Sequence, residues 1–466
     1  MFTSGLALLH LLCKFTLNKI KMWQEFILKK TSIDYHIGYS LILRLWSMLA
    51  GGILMLSIPF IFSLEEQGYY FTFTSIIALQ VFFELGFNYV IVQLVAHEMA
   101  HLKFDKENSL LIGDPNHVKR VYSLIRMLKK WYSVISIMFL FIVFIIGFYF
   151  FIKNGTLCFD KWAIPWGLLV FFSSMNLFIS PFLSVLEGMG LVGEVAKIRL
   201  LQSILGYSIL MLLFVSGVKL GAIAVIPGIA AICSILWMFK RFNNLFFLKK
   251  SDYDGNFISW KKDIFPFQWR IAISWLSGYF IFQAITPLIF AHQGAKIAGQ
   301  IGLTMTVFST LLSLSMTWVY AKTNIMGRLV ASKDRKTLNQ IFIDVAKKSG
   351  FLNLFVILTF IIMFCFLKYL NFSIIERLAS LDIILLLSIV AIFNHLVFCF
   401  AAYMRSHKEE PMLRCTIVVA ILTFVSVYLA SYHSATATIL AYSIIMVFVS
   451  PPWAFLLFKK YYLIDR

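Results

Sequence analysis

Hydrophobic residues fall in long runs along this chain, and short polar or basic segments separate the runs. A helix needs about 20 mostly apolar residues to cross the hydrocarbon core of a bilayer. Twelve runs meet this requirement, so the pattern predicts twelve membrane-spanning helices. They are 41–62, 71–95, 131–152, 164–186, 200–218, 220–239, 271–291, 298–321, 351–370, 382–404, 413–431 and 436–458.

Composition supports a membrane protein. Of the 466 residues, 60% are hydrophobic and 48 are Phe, which is more apolar surface than a soluble protein of this size can bury. Lipid must therefore be the solvent for most of the chain. The predicted fold class is an all-α polytopic membrane protein.

The net charge of +19 could indicate a nucleic-acid partner, but the distribution of the basic residues along the chain favours another explanation. If the N-terminus is cytoplasmic, all but six of the 41 basic residues fall in cytoplasmic segments. Basic residues concentrate on the cytoplasmic side of membrane proteins, so both termini are predicted to be cytoplasmic. The charge thus indicates orientation and contact with anionic membrane lipids, and no nucleic acid is expected. The six outer basic residues are Lys153, Lys161, Lys219, Lys296, Lys368 and Arg377.

The first and seventh runs resemble each other. One begins at Arg44 and the other at Arg270, and each carries a late proline, Pro59 or Pro287. A basic segment separates the two groups of six runs, so the chain reads as two six-helix halves in the same orientation. Each proline is expected to bend its helix locally, either for packing or for a change of shape.

Four parts of the chain follow from this division. We expect a cytoplasmic or interfacial N-terminal segment, a six-helix lobe, a cytoplasmic linker and a second six-helix lobe. The limits of these parts are 1–36, 37–241, 242–265 and 266–466. Translation could start at Met1 or at Met22, and the basic N-terminal segment either lies along the membrane surface or is a solvated leader.

Two stretches resemble a known family. The stretch "SLEEQGYYFTFTSIIALQVFFELGFNYVIVQLVAHEMAHL" resembles the second-helix region of Wzx-like O-antigen flippases and related polysaccharide exporters. The later "GRLVASKDRKTLNQIF" is similar to the segment after their eighth helix. Many relatives have a proline at the end of that helix, and "WVYAKTNIMG" has none. The family is similar in fold to MATE drug exporters and MurJ-type flippases.

The resemblance implies a substrate and a location. Such proteins move an undecaprenyl-diphosphate-linked oligosaccharide from the inner to the outer leaflet of the bacterial inner membrane. A polysaccharide polymerase and glycosyltransferases are expected partners, with coupling to H+ or Na+ left open. No enzyme activity, cofactor or metal is expected, and the six cysteines form no C-x-x-C pair.

Arg44 and Arg270 are the candidate ligands for the diphosphate. A guanidinium binds phosphate oxygens through two parallel hydrogen bonds and stays charged when it is partly desolvated. The resemblance also implies this role, because MurJ-type flippases use arginines on these helices. The alternative is that both arginines anchor the protein at lipid headgroups.

Polar side chains inside the hydrophobic runs are the other candidates. Gln80, Glu84 and Asn88 recur every four residues, so they are expected to share one helical face that avoids lipid. Glu84 and Gln80 either serve ion coupling in a polar cavity or form hydrogen bonds between helices. Asn88 is a candidate sugar ligand on the same face. Three further residues either bind the sugar at the cavity wall or form hydrogen bonds between helices: Gln283, Asn394 and His395.

Three other functions remain as alternatives. One is a MATE-like drug or cation antiporter, whose site is expected to be acidic. Another is an intramembrane protease, because "HEMAH", from His97 to His101, satisfies the H-E-x-x-H pattern of zinc proteases. The flippase relatives carry a similar "HE" patch there without being peptidases. The last is a membrane scaffold for polysaccharide synthesis.

Overall fold

The computed structural model describes residues 35–105, 108–247, 258–260, 264–407 and 410–464. Met1, Met22 and most of the predicted N-terminal segment and linker lie outside the described residues, so the predicted domain limits stay predictions. Helices make up nearly all of the described chain, as the predicted fold class requires. In a bilayer, helices satisfy their own backbone hydrogen bonds.

The helices are numbered here in chain order. The first half contains α1 (Tyr35–Ile61), α2 (Leu64–Ile77), α3 (Val81–Glu84), α4 (Phe87–Glu98), α5 (Pro115–Asn154), α6 (Phe159–Gly188), α7 (Val192–Val215), α8 (Val225–Arg241) and α9 (Asn243–Phe247). The second half contains α10 (Phe265–Phe282), α11 (Ile285–Gln293), α12 (Ala295–Ala331), α13 (Arg335–Tyr369), α14 (Leu381–Arg405), α15 (Leu413–Ser431), α16 (Ala435–Phe448) and α17 (Ser450–Ile464). Single turns of 3-10 helix lie at Ala78–Gln80, Met99–His101, Leu220–Ala224 and Ser373–Arg377.

One antiparallel hairpin interrupts the helices. Its strands are β1 (Leu102–Asp105) and β2 (Leu110–Gly113), with Leu102 paired to Gly113. We call the side of the bundle that carries the start of α1 and the end of α17 the inner side, and the opposite side the outer side. The hairpin lies on the inner side, between α4 and α5.

The described residues contain eleven helices that are long and apolar enough to cross a membrane, or twelve if one bent pair is a single span. Each predicted run lies within these helices or extends past their ends by at most three residues. The second run, 71–95, was predicted as one helix, and this is wrong because the chain bends by 42° between Glu84 and Phe87. Leu85 and Gly86 both adopt left-handed backbone conformations there, which ends one helix and starts another.

The two prolines of the repeated helices act differently. Helix α1 runs without a break through Pro59 and ends at Ile61, so the bend predicted there does not interrupt the helix. In the second half the helix is interrupted after Phe282 and resumes just before Pro287. A proline lacks the N–H that bonds the carbonyl four residues earlier, which is Met55 in one case and Gln283 in the other.

Helix pairing repeats between the two halves. Helix α1 packs on α7, and its counterpart α10 packs on α15. Helix α6 packs on α8, just as α14 packs on α16 and α17. These matching pairs are what a duplicated six-helix unit would produce.

The start of α2 is held by charged and polar groups on the outer side. Ser63 Oγ accepts a hydrogen bond from the Glu66 N–H at 3.1 Å, and Glu66 Oε2 accepts one from the Ser63 N–H at 2.7 Å. This capping box satisfies backbone donors that would otherwise lack partners. Lys219 Nζ lies 2.8 Å from Glu66 Oε2, which ties the loop before α8 to this helix start.

Helices α2 and α12 bring the two halves together near the outer side. A Cβ on Gly68 would collide with the carbonyl oxygen of Ala295, and one on Gly299 would lie 2.7 Å from the Gly68 nitrogen. Gln67 is fully buried at this crossing, and its Nε2 donates to the Gly299 carbonyl at 2.8 Å and to the Arg377 carbonyl at 3.0 Å. The outer ends of the two halves are thus closed against each other, backbone to backbone.

A larger side chain at Gly68 tests this closure. We expect Gly68→Val to lower stability by about 1–3 kcal/mol, because overpacked side chains force the backbone apart. The measurement is the melting temperature of the protein in detergent. Gly278→Val is the matched control, since nothing lies within 4 Å of a Cβ at Gly278. Equal melting temperatures for the two variants would contradict the close packing.

Candidate functional site

Two adjoining cavities open in the bundle below the outer crossing. The central cavity has a volume of about 410 Å³ and lies between α2 of the first half and the helices of the second half. Side chains from α2, α10, α11, α12, α14 and α16 line it. They are Phe71, Thr74, Ser75, Phe282, Gln283, Thr286, Met305, Thr306, Phe308, Ser309, Leu312, Ser313, Met316, Tyr320, Leu387, Val390, Ala391, Asn394, Phe398 and Tyr442, together with Gly302.

The side cavity has a volume of about 450 Å³ and lies between α1 and α12. Helix α1 supplies seven of its wall residues, and α12 supplies five. They are Ser47, Met48, Gly51, Gly52, Leu54, Met55, Ile58, Tyr70, Phe71, Thr306, Ser309, Thr310, Ser313 and Leu314. Phe71, Thr306, Ser309 and Ser313 belong to both cavities, so these residues form a shared wall.

The lining is polar but uncharged. Hydroxyl and amide groups alternate with aromatic and aliphatic side chains around both cavities. Within the described part of the chain, no Asp, Glu, Lys, Arg or His contributes to either wall. This differs from the positively charged chamber that the two candidate arginines suggested, because both arginines lie outside the walls.

Gln283 and Asn394 are the predicted ligands that do line the central cavity. Gln283 lies at the interruption between α10 and α11, where its N–H bonds the Tyr279 carbonyl at 2.8 Å. Pro287 removes the N–H that would bond the Gln283 carbonyl in a regular helix. Asn394 is 5% exposed, and its Oδ1 is buried without a hydrogen-bond partner. Both side chains therefore retain hydrogen-bonding capacity at the cavity wall.

His395, the neighbour of Asn394, points elsewhere. It is buried, and its Nε2 lies 2.6 Å from Ser349 Oγ, which donates to the Ser315 carbonyl at 2.8 Å. These contacts join α14, α13 and α12 inside the second half. The structure therefore separates His395 from the cavity and gives it partners between helices.

Arg44 and Arg270 are both exposed near the inner ends of their helices. Ser47, Met48 and Gly51 line the side cavity, and they follow Arg44 at the spacing of one helical face. Arg44 therefore lies at the inner rim of the side cavity, about 5 Å along the helix from Ser47. Arg270 has no such alignment, and its guanidinium carbon lies 5.3 Å from the Trp269 ring.

Gln80, Glu84 and Asn88 do not form the continuous face that their spacing predicted. Gln80 Nε2 donates to Glu84 Oε1 at 2.6 Å, but the bend at residues 85–86 then separates Asn88 from this pair. Asn88 Nδ2 bonds Ser180 Oγ on α6 at 2.5 Å. Neither cavity includes any of the three in its wall.

The H-E-x-x-H pattern does not assemble a metal site in the described residues. Glu98 is buried, and its carboxylate contacts Arg120 Nε at 2.8 Å and His117 Nδ1 at 2.6 Å. The helix changes to 3-10 geometry before His101. No group of three His, Cys, Asp or Glu residues among those described is arranged to hold a metal ion. Glu98 thus links the end of α4 to the start of α5.

The hydroxyl groups of α12 are cavity residues that the sequence pattern did not single out. Thr306, Ser309, Thr310 and Ser313 recur at helical spacing, which is a visible signal in "TVFSTLLS". Serine and threonine are common in membrane helices because they bond their own backbone, so the pattern alone did not distinguish a cavity wall from packing.

Comparisons with known proteins identify the architecture. No family model matches the chain, and no curated protein matches it. An inward-facing multidrug resistance MATE family transporter of the MOP superfamily is 15% identical, with a TM-score of 0.58, and the match covers 89% of this chain and 98% of that one. A MOP superfamily transporter from Pyrococcus furiosus is 14% identical, with a TM-score of 0.57 and coverage of 92% and 94%. This chain has the MATE transporter fold.

An outward-facing MATE family transporter shares the same fold, with 14% identity, a TM-score of 0.54 and coverage of 92% and 97%. These neighbours confirm the predicted all-α polytopic fold. The resemblance to Wzx-like flippases stays a prediction.

Labelling of introduced cysteines tests the placement of the cavity wall. In a background without native cysteines, we expect a membrane-impermeant maleimide added from the inner side to modify Ser309→Cys. It should leave Ser349→Cys unmodified, because Ser349 is fully buried between helices. The extent of labelling is read by mass spectrometry. Equal labelling at both positions would contradict a water-accessible wall on α12.

Proposed function

We propose that this protein is a flippase for an undecaprenyl-diphosphate-linked oligosaccharide, working by alternating access in the bacterial inner membrane. A sugar and a diphosphate cannot cross hydrocarbon unaided, because desolvating their polar groups costs several kcal/mol for each group. A polar cavity between two helical halves removes that barrier. The MATE transporter fold supports such a machine.

The uncharged lining is the observation that carries the proposal. A site for a cationic drug needs a carboxylate near the ligand, and neither cavity wall in the described chain contains one. Hydroxyl, amide and aromatic side chains instead match the hydroxyl groups and apolar faces of sugars. Both volumes lie within the range of ligand pockets, roughly 300–1,000 Å³.

Pocket polarity, and not the fold, separates the two candidate functions. The Pyrococcus furiosus neighbour is described as having a binding pocket of reverse polarity that suggests a different function. Transporters with this fold therefore do not all share one substrate class. For this chain, the absence of acidic residues from the described walls favours a saccharide over the cations expected of a MATE-like antiporter.

The position of the cavities also suits a lipid-linked substrate. The side cavity lies between α1 and α12, below the crossing that closes the outer side. On the adjacent face of α1, Leu45, Leu49 and Leu56 are exposed to the membrane. We infer that the polyprenyl tail lies along this apolar face, while the saccharide occupies the cavities.

Arg44 and Arg270 remain our proposed ligands of the diphosphate. Arg44 lies at the rim of the side cavity, where a diphosphate between tail and sugar would be placed. Arg270 occupies the equivalent position in the second half and would meet the diphosphate as the halves rock. Each guanidinium can bind phosphate oxygens in the membrane interface without entering the hydrocarbon.

Reconstituted transport tests the proposed substrate. We expect the protein in proteoliposomes to flip a polyprenyl-diphosphate-linked saccharide, and Arg44→Ala to slow this by about tenfold or more. A charged hydrogen bond contributes about 1.5–3 kcal/mol, and 1.4 kcal/mol is a factor of ten. Arg44→Lys should retain part of the activity, since it retains the charge.

Arg414→Ala is the matched control, because Arg414 is also an exposed arginine at the inner end of a span and lines neither cavity. A folded Arg44→Ala variant without transport would exclude a purely scaffolding role. Transport of a cationic dye, without transport of the saccharide, would instead establish the antiporter.

A further inference from the structure

Helix α12 presents a continuous row of hydroxyl groups to both cavities. Thr306, Ser309 and Ser313 belong to both walls, and Thr310 adds to the side cavity. Tyr320 extends the row along the central cavity. From Thr306 to Tyr320 the row spans about 21 Å at a rise of 1.5 Å per residue. One helix face therefore connects the two cavities as a single polar surface.

Three of the hydroxyl groups in this row already have partners for their hydrogens. Thr306 Oγ1 donates to the Gly302 carbonyl at 2.8 Å, Ser309 Oγ to the Thr306 carbonyl at 2.9 Å, and Thr310 Oγ1 to the same carbonyl at 2.8 Å. A hydroxyl oxygen that donates its hydrogen still has lone pairs to accept with. The oxygens of Thr306, Ser309 and Thr310 can thus accept hydrogen bonds from a ligand without giving up the bonds that they donate.

Groups opposite the row complete a site with mixed polarity. Gln283 and Asn394 carry amides that both donate and accept, and the buried Oδ1 of Asn394 has no partner. The rings of Phe71, Phe282 and Phe398 offer apolar surface in the same wall. This combination suits a ligand with many hydroxyl groups on an apolar ring skeleton. Because the contacts between wall and ligand are uncharged, the ligand can move along the row.

The same wall penalises a charged ligand. An ion that is partly desolvated against this wall loses hydration energy unless an opposite charge compensates it. No ionised side chain lines either cavity in the described chain, and the arginine at the rim is assigned to the diphosphate. A uronic acid or a free amino sugar at the hydroxyl row would therefore lack a counter-charge.

We infer that the saccharide carried by this protein is built from uncharged sugars and is selected by the hydroxyl row of α12. This inference rests on the proposed flippase function and narrows its substrate class. It assigns to Thr306, Ser309 and Ser313 a direct role in binding the sugar. The diphosphate remains at the membrane interface and does not enter the row.

Three substrates with one polyprenyl-diphosphate tail test the inference in proteoliposomes. They carry a neutral oligosaccharide, the same oligosaccharide with one uronic acid, and the same oligosaccharide with one free amine. We expect the neutral substrate to be flipped at least about tenfold faster than either charged one. Equal rates for the neutral and charged substrates would overturn the inference and leave the flippase function intact. If none of the three is flipped, the proposed function itself fails.

Variants of the row provide a second readout. Ser309→Lys supplies a positive charge, and we expect it to raise the rate for the uronic acid substrate relative to the neutral one. Thr306→Val removes a hydroxyl with little change in shape and should slow the neutral substrate several-fold. Thr359→Val is the control, because Thr359 bonds its own helix in the same way but is exposed on α13 and lines neither cavity.

Thermal melting of each variant separates loss of folding from loss of binding. If Ser309→Lys does not fold, the three-substrate comparison with the unmodified protein still decides the inference. If folded Thr306→Val and Thr359→Val variants flip the neutral substrate equally fast, the direct role of the hydroxyl row is wrong.

Discussion

The backbone contact between α2 and α12 is the constraint on which the rest of the architecture depends. Gly68 and Gly299 let the two helices approach until main chain meets main chain, and the amide of Gln67 bonds two carbonyls across the junction. In a bilayer, helices associate through such close packing and hydrogen bonds, since lipid is as apolar as the side chains. This contact lies near the outer ends of both helices, and the cavities open further inward along the same two helices.

The space below this contact forms the cavities, and side chains of α12 line both of them. Helix α12 contributes both the glycine that closes the crossing and the hydroxyl groups that line the space beneath it. A rigid-body rotation that separates the two halves at the crossing would open the outer side and close the inner side. The repeated pairing of helices within each half supports such rigid units.

Much of the fold was predictable from the sequence, because bilayer thickness sets the length of the hydrophobic runs and basic residues set their orientation. The bend at Leu85 and Gly86 was not. It lies within a predicted span that has no proline, and Gly86 is needed because Ile271 of the other half occupies the space of a Cβ. That reason is a tertiary contact, which no local pattern reveals.

The site was predictable in part for a related reason. Polar groups in apolar runs, such as Gln283 and Asn394, must avoid lipid, and the structure places both at the central cavity. His395 also avoids lipid, but it does so through a hydrogen bond to Ser349 between helices. It follows Asn394 by one residue on α14, and this difference in position turns its side chain away from the cavity. The sequence does not specify how each helix is rotated about its axis. The hydroxyl row remained hidden because serine and threonine satisfy themselves within a helix.

We propose that the halves rock, and separate at the outer crossing, while a lipid-linked saccharide occupies the cavities. Spin labels on exposed positions test it most directly: Ile42 with Lys322 on the inner side, and Phe60 with Lys296 on the outer side. Pulsed electron paramagnetic resonance in lipid nanodiscs measures both distances with and without a polyprenyl-diphosphate-linked saccharide. With saturating substrate, we expect a population in which the distance between the inner labels is shorter and the distance between the outer labels is longer. Two distances that stay unchanged, or that change in the same direction, would contradict it.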